Sequence, residues 1–490
     1  MSDDAYSRLE AQFTEIGRLD DIRRLLDWDR ATVMPDGGSD ARGAQLETLA
    51  ALRHRLVTQP DVARWLDDTD PGALTPWEEA NVRAMRRMHL HAASVPSALI
   101  EALARAANRT EHLWRRARKD DDFSSVEPAL GELLALIREE AAIKSDALGV
   151  SPYEALMDRY DPGRRWSEVE TLFNALHSRL APMVDRTSQV VRTPASLPGS
   201  VQKQRKICED VLKTVGFDWN HGRLDESAHP FTGGVPDDVR ITTRYAEEDV
   251  LAAVFATIHE AGHAQYERGL PAPWRGQPVG RAPGLTIHES QSLGFEMQIA
   301  RSRSFTQFLA PLIARHLGRP ATEIDALLGE RLVHVERTFI RVEADEMTYP
   351  LHILARSELE QALVSGQLQT RDLPEAWGEA YLHHVGIRPK NDRDGCLQDI
   401  HWYGGDFGYF PTYALGALAA AQLVAAARER LPNLDDSLSA GDWSGYLDWC
   451  RQHVHSHGSR FSADELILRA TGKPLGIGAY LAHLEARFLP

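Results

Sequence analysis

The chain has 490 residues, of which 43% are apolar and 26% charged, and these values are ordinary for a soluble globular protein. Its formal net charge of -16 repels phosphate groups at long range, which argues against a nucleic-acid partner and against an anionic membrane surface. The first residues lack a basic segment followed by an apolar run, so no secretory signal is predicted and a cytoplasmic location is expected.

The cysteines fit the same expectation. Cys208, Cys396 and Cys450 lie far apart in the sequence and form no CxxC pair. Neither a disulfide framework nor a thiolate zinc site is therefore predicted, and a reducing compartment is expected.

The first part of the chain, from Ala5 to about Gln189, has apolar residues at three- and four-residue steps, which predicts successive helices. Breaks at 35–38, 71–72 and 161–163 contain proline and glycine and are too short to be flexible linkers. We therefore predict one domain over 1–490, with a helical N-terminal portion at about 1–205 and a portion carrying the functional site at about 206–490.

The pattern changes between Arg223 and Tyr245. There Gly233, Gly234 and Pro236 precede apolar and β-branched residues at every second position, which predicts one short antiparallel β hairpin. The helical period then returns, and it includes an Ala-rich stretch at 413–427 that is shorter than the roughly 20 residues a bilayer requires. The predicted fold class is mainly α with a small antiparallel β hairpin or sheet beside the functional site.

A further helix is predicted from Glu247 onward, and it contains the run His259-Glu260-Ala261-Gly262-His263. Two histidines four residues apart project from one face of a helix, so both rings can reach one metal ion. Glu260 is turned by about 100° from His259, so it can accept a proton from water at the metal without filling a coordination position. A chance run is the alternative, but its place on an independently predicted helix disfavours it.

A catalytic zinc site usually needs a third protein ligand. The next helical run contains Glu289, which shares a helical face with Leu293, Glu296 and Ala300, and we predict Glu289 as that ligand. Glu296 is the weaker alternative, and it also suits an acceptor for a ligand histidine. Glu267 is disfavoured because it follows His263 by only one helical turn.

The chain resembles the M32 metallocarboxypeptidases, the carboxypeptidase Taq family, over nearly its whole length. Six motifs of that family occur here in order: His229-Pro230-Phe231; Asp238-Val239-Arg240-Ile241-Thr242; the run at His259; His288-Glu289-Ser290-Gln291; Ile340-Arg341-Val342-Glu343-Ala344-Asp345; and Gly395-Cys396-Leu397-Gln398-Asp399-Ile400-His401-Trp402. The segment from Asp27-Trp28-Asp29 to Met34-Pro35 also looks familial.

This resemblance implies a mainly helical, homodimeric enzyme with a deep groove. It implies removal of single C-terminal residues from peptides, with broad preference and poor action on C-terminal proline. It also implies one Zn²⁺ per chain, for which Co²⁺ or Mn²⁺ can substitute because nitrogen and carboxylate ligands accept all three ions.

An exopeptidase of this kind must bind a free carboxylate, and the planar fork of a guanidinium does this well. Arg341 is our candidate, in a helical stretch predicted after Pro320, with Asp345 four residues on to orient it. A surface ion pair is the alternative interpretation of these two residues. The remaining motif residues assigned to substrate binding are His229, Arg240, Gln398, Asp399 and His401.

The tetrahedral intermediate of peptide hydrolysis needs a hydrogen-bond donor at its oxyanion, and a tyrosine hydroxyl can supply one. Tyr409 and Tyr413 follow the last motif, and we prefer Tyr409 for this catalytic role and place Tyr413 among the substrate-binding residues. Packing in the core is the alternative for both.

Two other functions remain open from the residues alone. A helical zinc oligopeptidase that cuts internally would share the metal motif and the helical pattern. A silent metal- or peptide-binding protein would not need Glu260, because that carboxylate is not required for coordination.

Overall fold

The structure is a computed structural model that describes residues 4–188 and 195–489. Its N-terminal part is helical as predicted, although Gln189 lies outside the described residues. The predicted breaks at 35–38, 71–72 and 161–163 all fall between helices. The helices before the sheet are α1 Ala5–Thr32, α2 Ser39–Val57, α3 Pro60–Asp68, α4 Pro76–Ala93, α5 Ser97–Asp120, α6 Glu127–Leu148, α7 Pro152–Met157, α8 Trp166–Thr187 and α9 Val201–Thr214.

A small sheet follows, with strands β1 Gly222–Glu226, β2 Thr232–Val235 and β3 Asp238–Thr243. β2 and β3 form the predicted antiparallel hairpin, and Gly234 takes a φ of 81° in it, where an added Cβ would lie 2.1 Å from the Asp238 carbonyl oxygen. The small sheet is therefore confirmed, but the sequence pattern did not predict β1, which pairs parallel to β3 and makes β3 the central strand.

Helices return after the sheet, as predicted. They are α10 Val250–Gly269, α11 Leu285–Leu293, α12 Arg303–Leu317, α13 Ala321–Arg331, α14 Tyr349–Ser365, α15 Leu373–His384, α16 Pro411–Arg430, α17 Leu434–Ser439, α18 Ser444–His453, α19 Ala463–Thr471 and α20 Gly478–Phe488. A π-helical segment, Gly294–Ala300, continues directly from α11. None of the described helices combines the length and apolarity that crossing a bilayer requires.

The internal contacts group into two units. The first unit contains the described residues within Met1–Ala92, Thr193–Val333 and Gly416–Leu475, and the second contains those within Ala93–Arg192, His334–Leu415 and Gly476–Pro490. Each unit contains residues from both sides of position 205. The single domain over 1–490, with its two portions, stays a prediction.

The core of the first unit surrounds α10. Residues of α9, β3, α12 and the helices after α16 pack around it as one buried apolar cluster. Val254, Ile258 and Ala261 of α10 are completely buried in that cluster. Because packing fixes α10 on several sides, the polar residues it carries are held in defined positions.

Candidate active site

α10 carries the two histidines of the predicted metal site. The helix begins three residues later than predicted, because the Asp249 side chain caps it by accepting a hydrogen bond from the Leu251 backbone N–H at 3.3 Å. Four-residue spacing then places His259 and His263 one turn apart, with ring centroids separated by 5.1 Å. His263 is buried and His259 is partly exposed, so both rings lie at the edge of the core.

The structure brings Glu289 of α11 to these histidines. Its Oε2 lies 3.4 Å from His263 Nε2, and its Oε1 lies 4.0 Å from His259 Nε2. One donor atom from each of the three residues lies within 4.8 Å of the other two. The predicted third ligand is therefore the carboxylate that stands beside the pair.

Two glycines permit this close approach. A Cβ on Gly262 of α10 would lie 2.7 Å from the Gln291 carbonyl oxygen of α11, so the two helices touch through backbone at that point. A Cβ on Gly416 of α16 would lie 2.9 Å from the Glu289 Cβ. Larger residues at either position would push Glu289 away from the histidines.

Glu296, the weaker candidate for the third ligand, occupies a different position. His259 donates from Nδ1 to Glu296 Oε2 at 3.0 Å, and Arg301 donates to Glu296 Oε1 at 2.6 Å. This bond fixes the orientation of the His259 ring and makes Nε2 the nitrogen that lies toward Glu289. Glu296 is thus placed as the acceptor behind a ligand histidine, which was its second predicted role.

The charges around the site favour a cation. Burial alone lowers the pKa of His259, but the hydrogen bond to Glu296 and the charges of Glu289 and Glu260 raise it to about 10. Burial likewise raises the pKa of Glu289, but His263 and His259 lower it to about 2. Two imidazoles and one ionised carboxylate are a donor set that suits a divalent transition-metal ion, so the residues fit the predicted metal.

Glu267 is engaged elsewhere, as its position in the sequence suggested. Its Oε1 accepts from His288 Nε2 at 3.0 Å, and Arg24 lies 3.6 Å from its Oε2. The His288 ring in turn stacks on His263 with centroids 4.4 Å apart. Glu267 therefore holds the His288 ring in place against His263.

Glu260 is a buried carboxylate with one contact that the sequence did not reveal. The Thr232 hydroxyl of β2 lies 2.6 Å from Glu260 Oε2 and also 3.1 Å from the Glu260 carbonyl oxygen. The hydroxyl donates to one carboxylate oxygen and leaves the other able to accept a proton. Thr232 directly follows the His229-Pro230-Phe231 motif, and that proximity was the only signal for it in the sequence.

Arg341 does not lie on a helix, so that prediction was wrong. α13 ends at Arg331, and Arg341 opens a short 3-10 turn, Arg341–Glu343, in the connection to α14. Asp345 does not orient it either, because its carboxylate accepts from the backbone N–H groups of Glu336 and Met347. The connection between α13 and α14 is therefore held by hydrogen bonds to Asp345 and does not continue as a helix.

The partner of Arg341 is Asp399. Arg341 Nη2 donates to Asp399 Oδ1 at 2.8 Å, while Arg356 of α14 donates from Nε to Oδ2 at 2.6 Å. Burial raises the pKa of Asp399, but the two guanidinium charges hold it well below its usual range. The sequence did not point to Arg356. It is completely buried on α14, where most of the buried residues are apolar.

Gln398 and His401 flank this charged group. Gln398 Oε1 accepts from Arg356 Nη2 at 2.6 Å, and its Nε2 donates to the Phe339 carbonyl oxygen at 3.0 Å. His401 Nδ1 lies 3.9 Å from Asp399 Oδ1, and burial lowers the pKa of His401 to about 4. The last motif therefore brings its three polar residues to Arg341.

The two candidate tyrosines lie in the same unit. The Arg341 guanidinium carbon is 5.1 Å from the ring centroid of Tyr413. Tyr409 meets Tyr413 with centroids 5.2 Å apart, and it meets Tyr160 edge-on at 5.1 Å. Tyr413 thus contacts the Arg341 guanidinium, and Tyr409 contacts the Tyr413 ring.

Arg240 and His229 lie near the sheet of the first unit. The Arg240 guanidinium carbon is 4.4 Å from the ring centroid of Trp28, and its Nη2 is 2.6 Å from Asp238. The familial segment around Trp28 therefore contacts the second motif through a cation–π pair. The His229 side chain is exposed in the turn between β1 and β2.

Comparisons with known proteins identify the family of the chain. The model of the carboxypeptidase Taq (M32) metallopeptidase family matches residues 8–488. Thermostable carboxypeptidase 1 of Thermus thermophilus is 39% identical over 508 aligned positions, which cover 99% of this chain and 98% of that protein.

Solved structures show the same similarity. Metallocarboxypeptidase 1 of Trypanosoma cruzi matches with a TM-score of 0.94 and 37% identity, covering 99% of each chain. A carboxypeptidase of the same family from Deinococcus radiodurans matches with a TM-score of 0.92 and 33% identity, covering 99% of this chain and 98% of that one. The chain therefore belongs to the carboxypeptidase Taq (M32) family of metallopeptidases and is a metal-dependent carboxypeptidase.

Proposed function

We propose that this carboxypeptidase uses zinc, held by His259, His263 and Glu289, to release single C-terminal residues from peptides. The observation that supports the metal role is the grouping of one donor atom from each of these residues within 4.8 Å. A bound Zn²⁺ would supply a Lewis acid for the scissile carbonyl and would lower the pKa of water to about 7 at a favourable site. Co²⁺ and Mn²⁺ suit the same ligands.

Glu260 is proposed as the general base and acid. Its carboxylate is 5% exposed and is anchored at one oxygen by the Thr232 hydroxyl at 2.6 Å. The other oxygen takes the proton of the attacking water and later gives it to the leaving amine. Thr232 is a positioning residue in this scheme, because it restricts where the free oxygen points.

Arg341 is proposed as the anchor for the substrate carboxylate. It shares Asp399 with Arg356, so two guanidinium charges meet one carboxylate and the group carries a net positive charge. Arg341 is only 7% exposed, and a charge with little water around it attracts an anion more strongly than a solvated one. Asp399, Gln398 and His401 support this group, and Arg240 and His229 are also proposed to bind substrate.

Tyr409 is proposed as the oxyanion donor, with Tyr413 contacting substrate beside Arg341. Replacing Tyr409 by phenylalanine removes the hydroxyl and keeps the ring, so kcat is expected to fall about 10²-fold with little change in KM. Tyr413→Phe is the matched control, and steady-state kinetics on one peptide measures both variants. If Tyr413→Phe loses kcat and Tyr409→Phe does not, the two roles must be exchanged.

The orienting role of Glu296 leads to a separate prediction. Glu296→Gln keeps the shape of the side chain but weakens the acceptor for His259, so zinc affinity is expected to fall about 10–100-fold. Competition with a chelator of known affinity measures this change. Glu330→Gln, an exposed residue of the same unit, is the control, and equal affinities in both variants would remove Glu296 from the metal shell.

The proposed reaction is tested by digesting a mixed peptide library and weighing the products. Peptides shortened from the C-terminus by one residue at a time are expected, with C-terminal proline left in place. Chelation should stop the reaction and added Zn²⁺ should restore it. Fragments from internal cuts would instead indicate an oligopeptidase.

The assembly and the location are also proposals. The family resemblance supports a homodimer, and the widely spaced cysteines support the reducing environment of the cytoplasm. The net charge of -16 argues against a nucleic acid or an anionic membrane as a partner, and neither is proposed. Light scattering during size-exclusion chromatography measures the mass in solution, and a mass of one chain would contradict the dimer.

A further inference from the structure

A second group of histidines lies in the second unit, and none of its three members has a role in the proposed reaction. His177 belongs to α8, while His383 and His384 are the last two residues of α15. One donor nitrogen from each lies within 4.8 Å of the other two. The three rings contact one another in pairs, with centroids 4.7–4.9 Å apart.

His384 has the features of a ligand that has been oriented in advance. Its Nε2 donates to Glu358 Oε2 at 2.7 Å, which fixes the tautomer and leaves the lone pair on Nδ1. The side chain is 9% exposed, and among the described residues its Nδ1 finds no hydrogen-bond partner although that atom is buried. A carboxylate behind one imidazole nitrogen and a metal at the other is the usual arrangement of metal-binding histidines.

The other two histidines complete the group. His177 donates from Nε2 to the His383 carbonyl oxygen at 3.2 Å, which holds its ring against the end of α15. The carboxyl end of α15 adds the negative end of the helix dipole, which favours a cation.

The group is also accessible from solvent. His383 is exposed, and its side chain lines a cleft of ≈ 410 Å³ between α14 and α15 together with Glu358, Leu359 and Glu379. The two carboxylates give the cleft negative charge, and the cleft provides the entry path that a metal site requires.

We propose that His177, His383 and His384 form a second site for a divalent transition-metal ion of the zinc, copper and nickel class. Imidazole nitrogens suit these ions and not Ca²⁺ or Mg²⁺, which prefer oxygen ligands. The ion joins α8 to α15 across 206 positions of sequence, so it stabilises the folded unit by closing a long loop. It does not touch the proposed catalytic ligands.

The test uses full-length chain without a polyhistidine tag, with the catalytic centre already loaded. Calorimetric titration with Zn²⁺ is expected to show one more site in the wild type than in His383→Ala. His112→Ala, which removes an exposed histidine of the same unit, should bind as the wild type does. Carboxypeptidase activity should be equal in all three chains, because no altered residue belongs to the catalytic machinery.

A second variant tests the orienting carboxylate. Glu358→Gln, at a side chain that is 63% exposed, is expected to weaken Zn²⁺ binding at this site about 10–100-fold while leaving the fold intact. Thermal unfolding adds a readout, since Zn²⁺ should raise the melting temperature of the wild type more than that of His383→Ala. If wild type and His383→Ala bind the same amount of zinc, the three histidines are only a packed cluster and the proposal fails.

Discussion

Replacement of Glu260 by glutamine is expected to lower kcat about 10²–10⁴-fold while the protein keeps its zinc. Glutamine has nearly the same shape and can still accept the Thr232 hydrogen bond, which joins Oε2 to the hydroxyl at 2.6 Å. It cannot take up a proton from water, so only the acid–base step is lost. The measurement combines single-turnover kinetics with metal analysis of the same sample.

The metal content makes this result specific. His259, His263 and Glu289 are unchanged in the variant, so zinc stoichiometry and chelator competition should match the wild type. Glu248→Gln, an exposed residue just before α10, is the control and should keep full activity. Near-normal turnover in Glu260→Gln would remove Glu260 from the base role, and loss of zinc would give it a structural role instead.

The sequence predicted the metal helix well because its signals are local. The period of apolar residues lies within one element, and the histidine spacing follows from helix geometry. Only the start of the helix was placed three residues too early, because the capping role of Asp249 was not predicted. The prediction of Glu289 as a ligand was less direct, because Glu289 lies on a second helix that must pack beside His259 and His263. The close contact at Gly262, where backbone meets backbone, is the tertiary feature that the sequence did not show.

The predictions that failed depend on contacts distant in sequence. β1 was missed because a parallel partner is not joined to it by a tight turn, so no hairpin signal marks it. Arg341 was placed on a helix, but Asp345 binds backbone N–H groups of the connection, and the Arg341 backbone N–H donates to Gln398 at 3.0 Å. Asp399 stands 58 positions from Arg341, so a four-residue spacing rule could not find it.

Replacement of Arg341 by glutamine is expected to lower kcat/KM about 10³-fold for peptides with a free C-terminus, because a buried charged pair is typically worth 2–5 kcal/mol. Asp399 keeps the hydrogen bond from Arg356 at 2.6 Å, so the variant does not leave that carboxylate unpaired. The substrate carboxylate, in contrast, loses the planar fork that binds both of its oxygens. Steady-state kinetics on matched peptide acids and amides measures the loss.

Comparing cleavage of a peptide acid with that of its amide separates a loss of carboxylate recognition from a loss of folded protein. The wild type should prefer the free acid strongly, and Arg341→Gln should cut both substrates at similar low rates. Arg341→Lys keeps the charge without the fork, so it should recover only part of the preference. Arg105, whose side chain is 71% exposed, lies in the same unit and provides the control, because Arg105→Gln should leave the preference for the free acid unchanged. A variant that loses activity but still discriminates acid from amide would make Arg341 a structural residue and would move the carboxylate anchor elsewhere.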